Sequence, residues 1–113
     1  MSRHFFKTEY SGKPVEVLMG FDRPLNGFFM VIDYLEEPDD DVEDDGNLFS
    51  NMWQEDPHPH TLKPYLEKLT ELNISVPPAM IAEIESDGRR KMGNKDVRHS
   101  MVDGTYSRTQ LSG

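Results

Sequence analysis

Phe28-Phe29-Met30-Val31-Ile32-Asp33-Tyr34-Leu35 is the stretch on which the fold turns. In an extended chain successive side chains alternate between faces. Phe28, Met30, Ile32 and Tyr34 therefore share one side, and Phe29, Val31, Asp33 and Leu35 the other. Both sides are largely apolar, which predicts a central strand covered on both faces for most of its length. Upstream, Val15, Val17 and Met19 alternate with Glu16, Leu18 and Gly20, a period of two that predicts a second strand. The aromatic-rich residues 5–10 read as another, and Ser11-Gly12-Lys13-Pro14 between them is turn chemistry. Asn26-Gly27 suits the tight turn that leads into the central strand.

Downstream, residues 48–53 read as a short fourth strand. Thr61 is the expected N-cap of a helix in which Leu62, Tyr65, Leu66, Leu69 and Leu72 recur at helical spacing, with Pro64 in its first turn and Asn73 at its end. Pro77-Pro78 opens a second helix with Met80, Ile81 and Ile84 as its apolar stripe, and Gly88 is the expected residue just past its end. Strands followed by helices predict an α+β fold: an antiparallel sheet of three to four strands with two C-terminal helices packed on one face. The domain is expected to occupy residues 1–88. Residues 89–113 hold few large apolar groups and read as a flexible basic C-terminal tail.

The 113 residues carry a net charge of -9 and no cysteine. Disulfides, thiolate nucleophiles and cysteine zinc sites are thereby excluded. No signal peptide and no run of about 18 apolar residues is present, so the expected compartment is the cytoplasm, with no membrane partner. The charge is uneven. Residues 1–87 hold six basic and 19 acidic side chains, a net of -13, and residues 88–113 hold six basic and two acidic, a net of +4. A body so acidic repels nucleic acid and attracts basic partners.

Four candidate sites follow. The acidic run comprises Asp33, Glu36, Glu37, Asp39, Asp40, Asp41, Glu43, Asp44 and Asp45. It is a solvated loop in the simplest reading and a docking surface for a basic protein in the functional one. Imitation of a DNA backbone by its carboxylates, as in an inhibitor of a nucleic-acid-binding protein, is the sharper form. The same run matches the first half of an EF-hand loop, with acids at Asp41, Glu43 and Asp45 and then Gly46, but Met52 stands where a bidentate Glu is needed. Asp56, His58 and His60 offer three metal ligands at alternate positions. The simpler reading is two exposed histidines in a helix-entry loop, with His4 and His99 too remote in sequence to be assigned as partners. Asp22 and Arg23 sit at a strand end, where Asp22 suits a turn cap and both suit ligand contact.

The stretch Gly20-Phe21-Asp22-Arg23-Pro24-Leu25-Asn26-Gly27-Phe28-Phe29-Met30-Val31-Ile32 resembles a G-x-D-R-P-L-x-x-F-F pattern in small uncharacterised bacterial proteins. Leu72-Asn73-Ile74-Ser75-Val76-Pro77 is similar to an L-x-I-x-V-P stretch in the same group. The resemblance covers roughly residues 5–87 and implies a shared fold without implying an activity. No nucleotide-loop, zinc-protease or nucleophile-elbow motif is present, and no cofactor is implied. The functional expectation is a non-enzymatic acidic interaction module. A small-ligand or metal-binding domain built on the Asp22–Arg23 loop or the Asp56–His60 segment is the alternative. Homodimerisation through an exposed strand edge stays open.

Overall fold

In the computed structural model of the chain, which describes residues 1–35, 47–53, 56 and 58–112, the alternating stretches become neighbours. Strand β1 (Ser2–Tyr10) turns through Ser11 and Gly12 into β2 (Lys13–Asp22), which pairs with β3 (Gly27–Tyr34). Both turn residues have positive φ, 50° and 80°, the conformation that lets a two-residue turn follow the twist of its strands. The short β4 (Asn47–Ser50) pairs with β3 across a register shift at Ile32/Asp33. Helix α1 (Lys63–Glu71) and helix α2 (Pro78–Arg89) follow. The chain then returns to the sheet as β5 (Lys95–Val102) and β6 (Thr105–Ser112).

Two expectations are corrected here. The sheet has six strands in the order β4-β3-β2-β1-β5-β6, and it is mixed, because β5 runs parallel to β1. The helices are not C-terminal; they form the crossover that a parallel pair requires. Residues 89–113 are likewise not a tail for most of their length, since β5 and β6 form a hairpin on the open side of β1. The cause is local: Asp103 and Gly104, with φ of 51° and 77°, make a second two-residue turn that sets the register of the hairpin.

One face of the sheet carries Val15, Val17 and Met19 of β2 with Phe28, Met30 and Ile32 of β3. Tyr65 and Leu69 of α1 and Met80 and Ile84 of α2 close over it, and all but Leu69, Phe28 and Tyr65 of these are wholly buried. Each such side chain contributes about 1.5–3 kcal/mol through loss of apolar surface to water. The Tyr65 hydroxyl donates to the Phe28 carbonyl at 3.1 Å, so the one polar atom α1 brings inside is satisfied. The opposite face carries the row Phe5, Leu18 and Val31, which is only half-buried, so the strand expected to be covered on both sides is covered by helices on one.

Helix ends depart from the sequence reading. Leu62, not Thr61, is the N-cap of α1 and makes no side-chain cap. Asn73 does end that helix, with φ of 59°. Gly88 lies inside α2, and its lack of a side chain has a packing reason. A Cβ there would lie 2.6 Å from the Phe28 ring, so only glycine lets α2 rest on β3. Among the described residues no helix is long and apolar enough to cross a membrane.

Candidate functional site

The covered face changes character where β1 meets β5. In register with apolar Met19 and Val97 stands His4, and in register with Phe6 and Arg108 stands His99. Both histidines are fully buried. Above them, Glu83 and Asp87 occupy one face of α2 at a spacing of four residues, the distance that stacks side chains on a helix. From the sheet, Lys95, Tyr106 and Arg108 point to the same place.

These seven residues form one connected network. His4 Nε2 meets Asp87 Oδ2 at 2.6 Å, and His4 Nδ1 meets His99 Nε2 at 2.8 Å. His99 Nδ1 lies 2.6 Å from the Tyr106 hydroxyl. With one proton on each ring every donor finds an acceptor: the Tyr106 hydroxyl donates to His99, His99 to His4, and His4 to the Asp87 carboxylate. Lys95 Nζ donates to Asp87 Oδ1 at 2.8 Å and pairs with Glu83 Oε2 at 2.7 Å. Arg108 grips both oxygens of Glu83 at 2.6 and 2.7 Å. Two carboxylates thus meet two permanent cations.

Environment decides each protonation state. The Arg108 fork, with Lys95 behind it, holds Glu83 down to about 2 against the opposing effect of burial. Burial would raise the Asp87 pKa, but His4 and Lys95 outweigh it and keep that carboxyl below its usual range. Burial and the neighbouring His4 push His99 down to about 4, so it is neutral at pH 7. Burial and Glu83 raise the Tyr106 pKa. Tyr106 is therefore a firm hydroxyl donor, the opposite of what a tyrosinate nucleophile needs.

Ligand atoms of His4, Glu83 and His99 lie within 4.8 Å of one another, the spacing of a metal site. Their chemistry here is already committed. Arg108 and Lys95 occupy Glu83, and the two imidazoles bond to each other directly. A divalent cation would have to displace three interactions and sit beside two positive charges.

The residues singled out in the sequence fall elsewhere. Asp33 is the penultimate residue of the central strand, its pKa raised by burial and its Oδ1 buried without a hydrogen-bond partner among the described residues. Glu36, Glu37, Asp39, Asp40, Asp41, Glu43, Asp44 and Asp45 lie outside the described residues, as does the Gly46 of the half EF-hand. Asp22 caps its turn, accepting the Leu25 N–H at 3.3 Å, while Arg23 is exposed and makes no ion pair among the described residues. Asp56 is exposed. His58 packs its backbone against Gly27, and His60 Nδ1 donates to the Asn26 carbonyl at 3.0 Å, so both serve to dock the loop onto the β2–β3 turn. The turn and His60 also border a cleft of about 350 Å³ between β2, β3 and the end of α2.

Sequence reasoning missed the buried network because its members span residues 4 to 108. His4 and His99 are each other's partners across 95 positions. The two signals available were Glu83 and Asp87 on the apolar side of a helix, and Asp103-Gly104 between residues of high strand propensity. No protein-family model, curated protein or solved structure matches this chain.

Proposed function

We propose that the chain is a non-enzymatic interaction module that takes up an extended segment of a basic partner protein along β6. One observation carries this reading: β6 is a long sheet edge, paired in regular register from Thr105 to Gln110 with one register shift only beyond Gln110. It runs eight residues, from Thr105 to Ser112, with no proline and a single charge, Arg108, whose guanidinium is turned back onto Glu83. Natural edges are protected by proline, lysine, bulges or brevity. The opposite edge, β4, is protected by brevity, at four residues. Met101, Val102 and Leu111, all exposed, give the hairpin apolar surface beside its outward-facing backbone groups.

The two-residue turn at Asp103 and Gly104 makes Val102 and Thr105 a hydrogen-bonded pair. Alternation then directs the N–H groups of Ser107 and Thr109 toward β5, and those of Tyr106, Arg108 and Gln110 outward. Strand addition would use these outward groups. Net charge selects the partner: a chain of -9 repels its own copies and draws in a basic segment over a screening length of about 10 Å at moderate salt. DNA mimicry is not required by this reading.

The test is a fluorescence titration with a labelled extended peptide of alternating lysine and valine. Saturable binding that weakens with salt and is lost in Gln110→Pro, which removes an outward donor while leaving the β5 pairing intact, is the expected result. Dimers by light scattering that exclude the peptide would replace the basic partner with a second copy. Equal binding by the Gln110→Pro variant would move the interface off β6.

A further inference from the structure

The β5–β6 hairpin is joined to the rest of the molecule without sharing its apolar core. Among the described residues that core comprises fifteen buried side chains, all between Phe6 and Ile84, and the hairpin contributes none of them. Nor does it supply any of the partly buried apolar residues packed against the core. Its single wholly buried apolar side chain is Val97, while Met101, Val102 and Leu111 stay exposed. The hydrophobic stabilisation of residues 1–90 is therefore nearly complete before the hairpin is in place.

Two things hold the hairpin down. One is the seam to β1, five residue pairs from Ser2–Lys95 to Phe6–His99. The other is the buried cluster, in which Lys95, His99, Tyr106 and Arg108 of the hairpin meet His4 of β1 and Glu83 and Asp87 of α2. A satisfied buried ion pair returns little beyond the desolvation it costs, so a hold made of such bonds is finely balanced. Segments with few buried apolar contacts are the ones that open locally, ahead of global unfolding. The link from α2 to β5, residues 90–94, is half-buried or exposed throughout and anchors nothing in the core.

We infer that the β5–β6 hairpin is a detachable arm: held by polar bonds, it undocks from β1 as a unit while residues 1–90 keep their fold. Release bares the backbone of β1 from Ser2 to Phe6 and returns the buried His4 and Asp87 to water. Docking hides them again. The molecule then has two states that share one apolar core and differ in whether the β1 edge is open. The inference stands whether or not β6 takes a strand.

Hydrogen exchange of the intact native chain in rising urea, read by amide NMR, is the test. Amides bonded across the β1–β5 seam should share one opening constant, roughly tenfold or more above that of the β2–β3 amides. Its urea dependence should be weaker, because undocking exposes less surface than unfolding. Arg108→Gln, which cuts both prongs on Glu83, should raise the seam opening by roughly tenfold or more. The chain has no cysteine, so Arg3→Cys with Asp96→Cys, neighbours in register on the open face, makes a single tether across the seam. When oxidised it should slow the seam amides to the β2–β3 rate, and reduction should restore their exchange. One opening constant and one urea slope for seam and β2–β3 amides alike would overturn the inference. So would seam exchange that ignores the tether or Arg108→Gln.

Discussion

The two halves of this sheet are held to their helices by opposite means. Under α1 and the first turns of α2, β2 and β3 present Val17, Met19, Met30 and Ile32, and contact is apolar and tolerant of direction. Under the last turns of α2, β1, β5 and β6 present His4, Lys95, His99, Tyr106 and Arg108, and contact is a set of bonds with fixed lengths and partners. The apolar half supplies most of the stabilisation. The polar half specifies: it admits β5 in one register only, because a shift of one residue would turn His99 and Lys95 to the other face. The difference teaches that a small domain can afford buried charge when every member of the cluster is satisfied.

The sharpest way to break the contrast is to remove one polar partner. Asp87→Ala leaves His4 and Lys95 facing each other without their acceptor, and should cost about 3–5 kcal/mol by urea unfolding. A loss below about 1 kcal/mol would mean that the network is an ornament of the fold. Ile32→Ala in the other half should cost about 2–5 kcal/mol through transfer and cavity terms, and equally at pH 7 and pH 5.

Acid separates the halves more cleanly. His99 titrates near 6.5 when unfolded and at about 4 in place, so below about pH 6.5 the unfolded chain binds the extra proton. The stability this histidine contributes is complete above pH 6.5 and fades as pH falls toward 4. On the order of 3 kcal/mol is at stake for a shift of this size, and His99→Phe should flatten the slope in that window. Glu83, lowered from 4.5 to about 2, adds a second loss as pH falls from 4.5 to 2. Unfolding midpoints measured between pH 7 and pH 3 check both.

Smaller effects lie at the rim. Tyr106→Phe removes the hydroxyl that ends the chain of donors and should cost about 0.5–1.5 kcal/mol, read by thermal melting. Arg3 and Asp96 form a two-pronged pair at 2.7 and 2.8 Å on the open face, yet Arg3 is exposed and Asp96 only half-buried. Arg3→Ala should therefore shift stability by less than about 1 kcal/mol, and that little should vanish in high salt.

Much of the apolar half was legible in the sequence. The alternation of Val15, Val17 and Met19 and the run from Phe28 to Tyr34 placed β2 and β3, and the leucines and isoleucines placed both helices. These signals are local periodicities, and periodicity survives in one dimension. The polar half was not legible, because its meaning lies in pairing. Lys95, Arg98 and Arg108 raise the charge of their segment and made it resemble a solvated tail. Only once β5 lies beside β1 do Lys95 and Arg108 acquire Glu83 and Asp87 as counterions. The Asp103-Gly104 turn is a sign of the hairpin that a reading by composition passes over. The acidic run, the most conspicuous feature of the sequence, lies outside the described residues apart from Asp33, which has no part in the buried network.

The parallel seam between β1 and β5 sets an order on synthesis. Strand β1 emerges from the ribosome ahead of the rest of the sheet, and β2 satisfies one of its edges almost at once. Its other edge waits until some ninety residues later, when β5 is released. Throughout that interval His4 lacks the imidazole meant for it. Closure of the seam is a late, long-range event, and such contacts are slow to form. A nascent chain held before residue 95 therefore displays β1 as a bare hydrogen-bonding edge, the form of this protein most open to capture by a chaperone or a neighbouring chain.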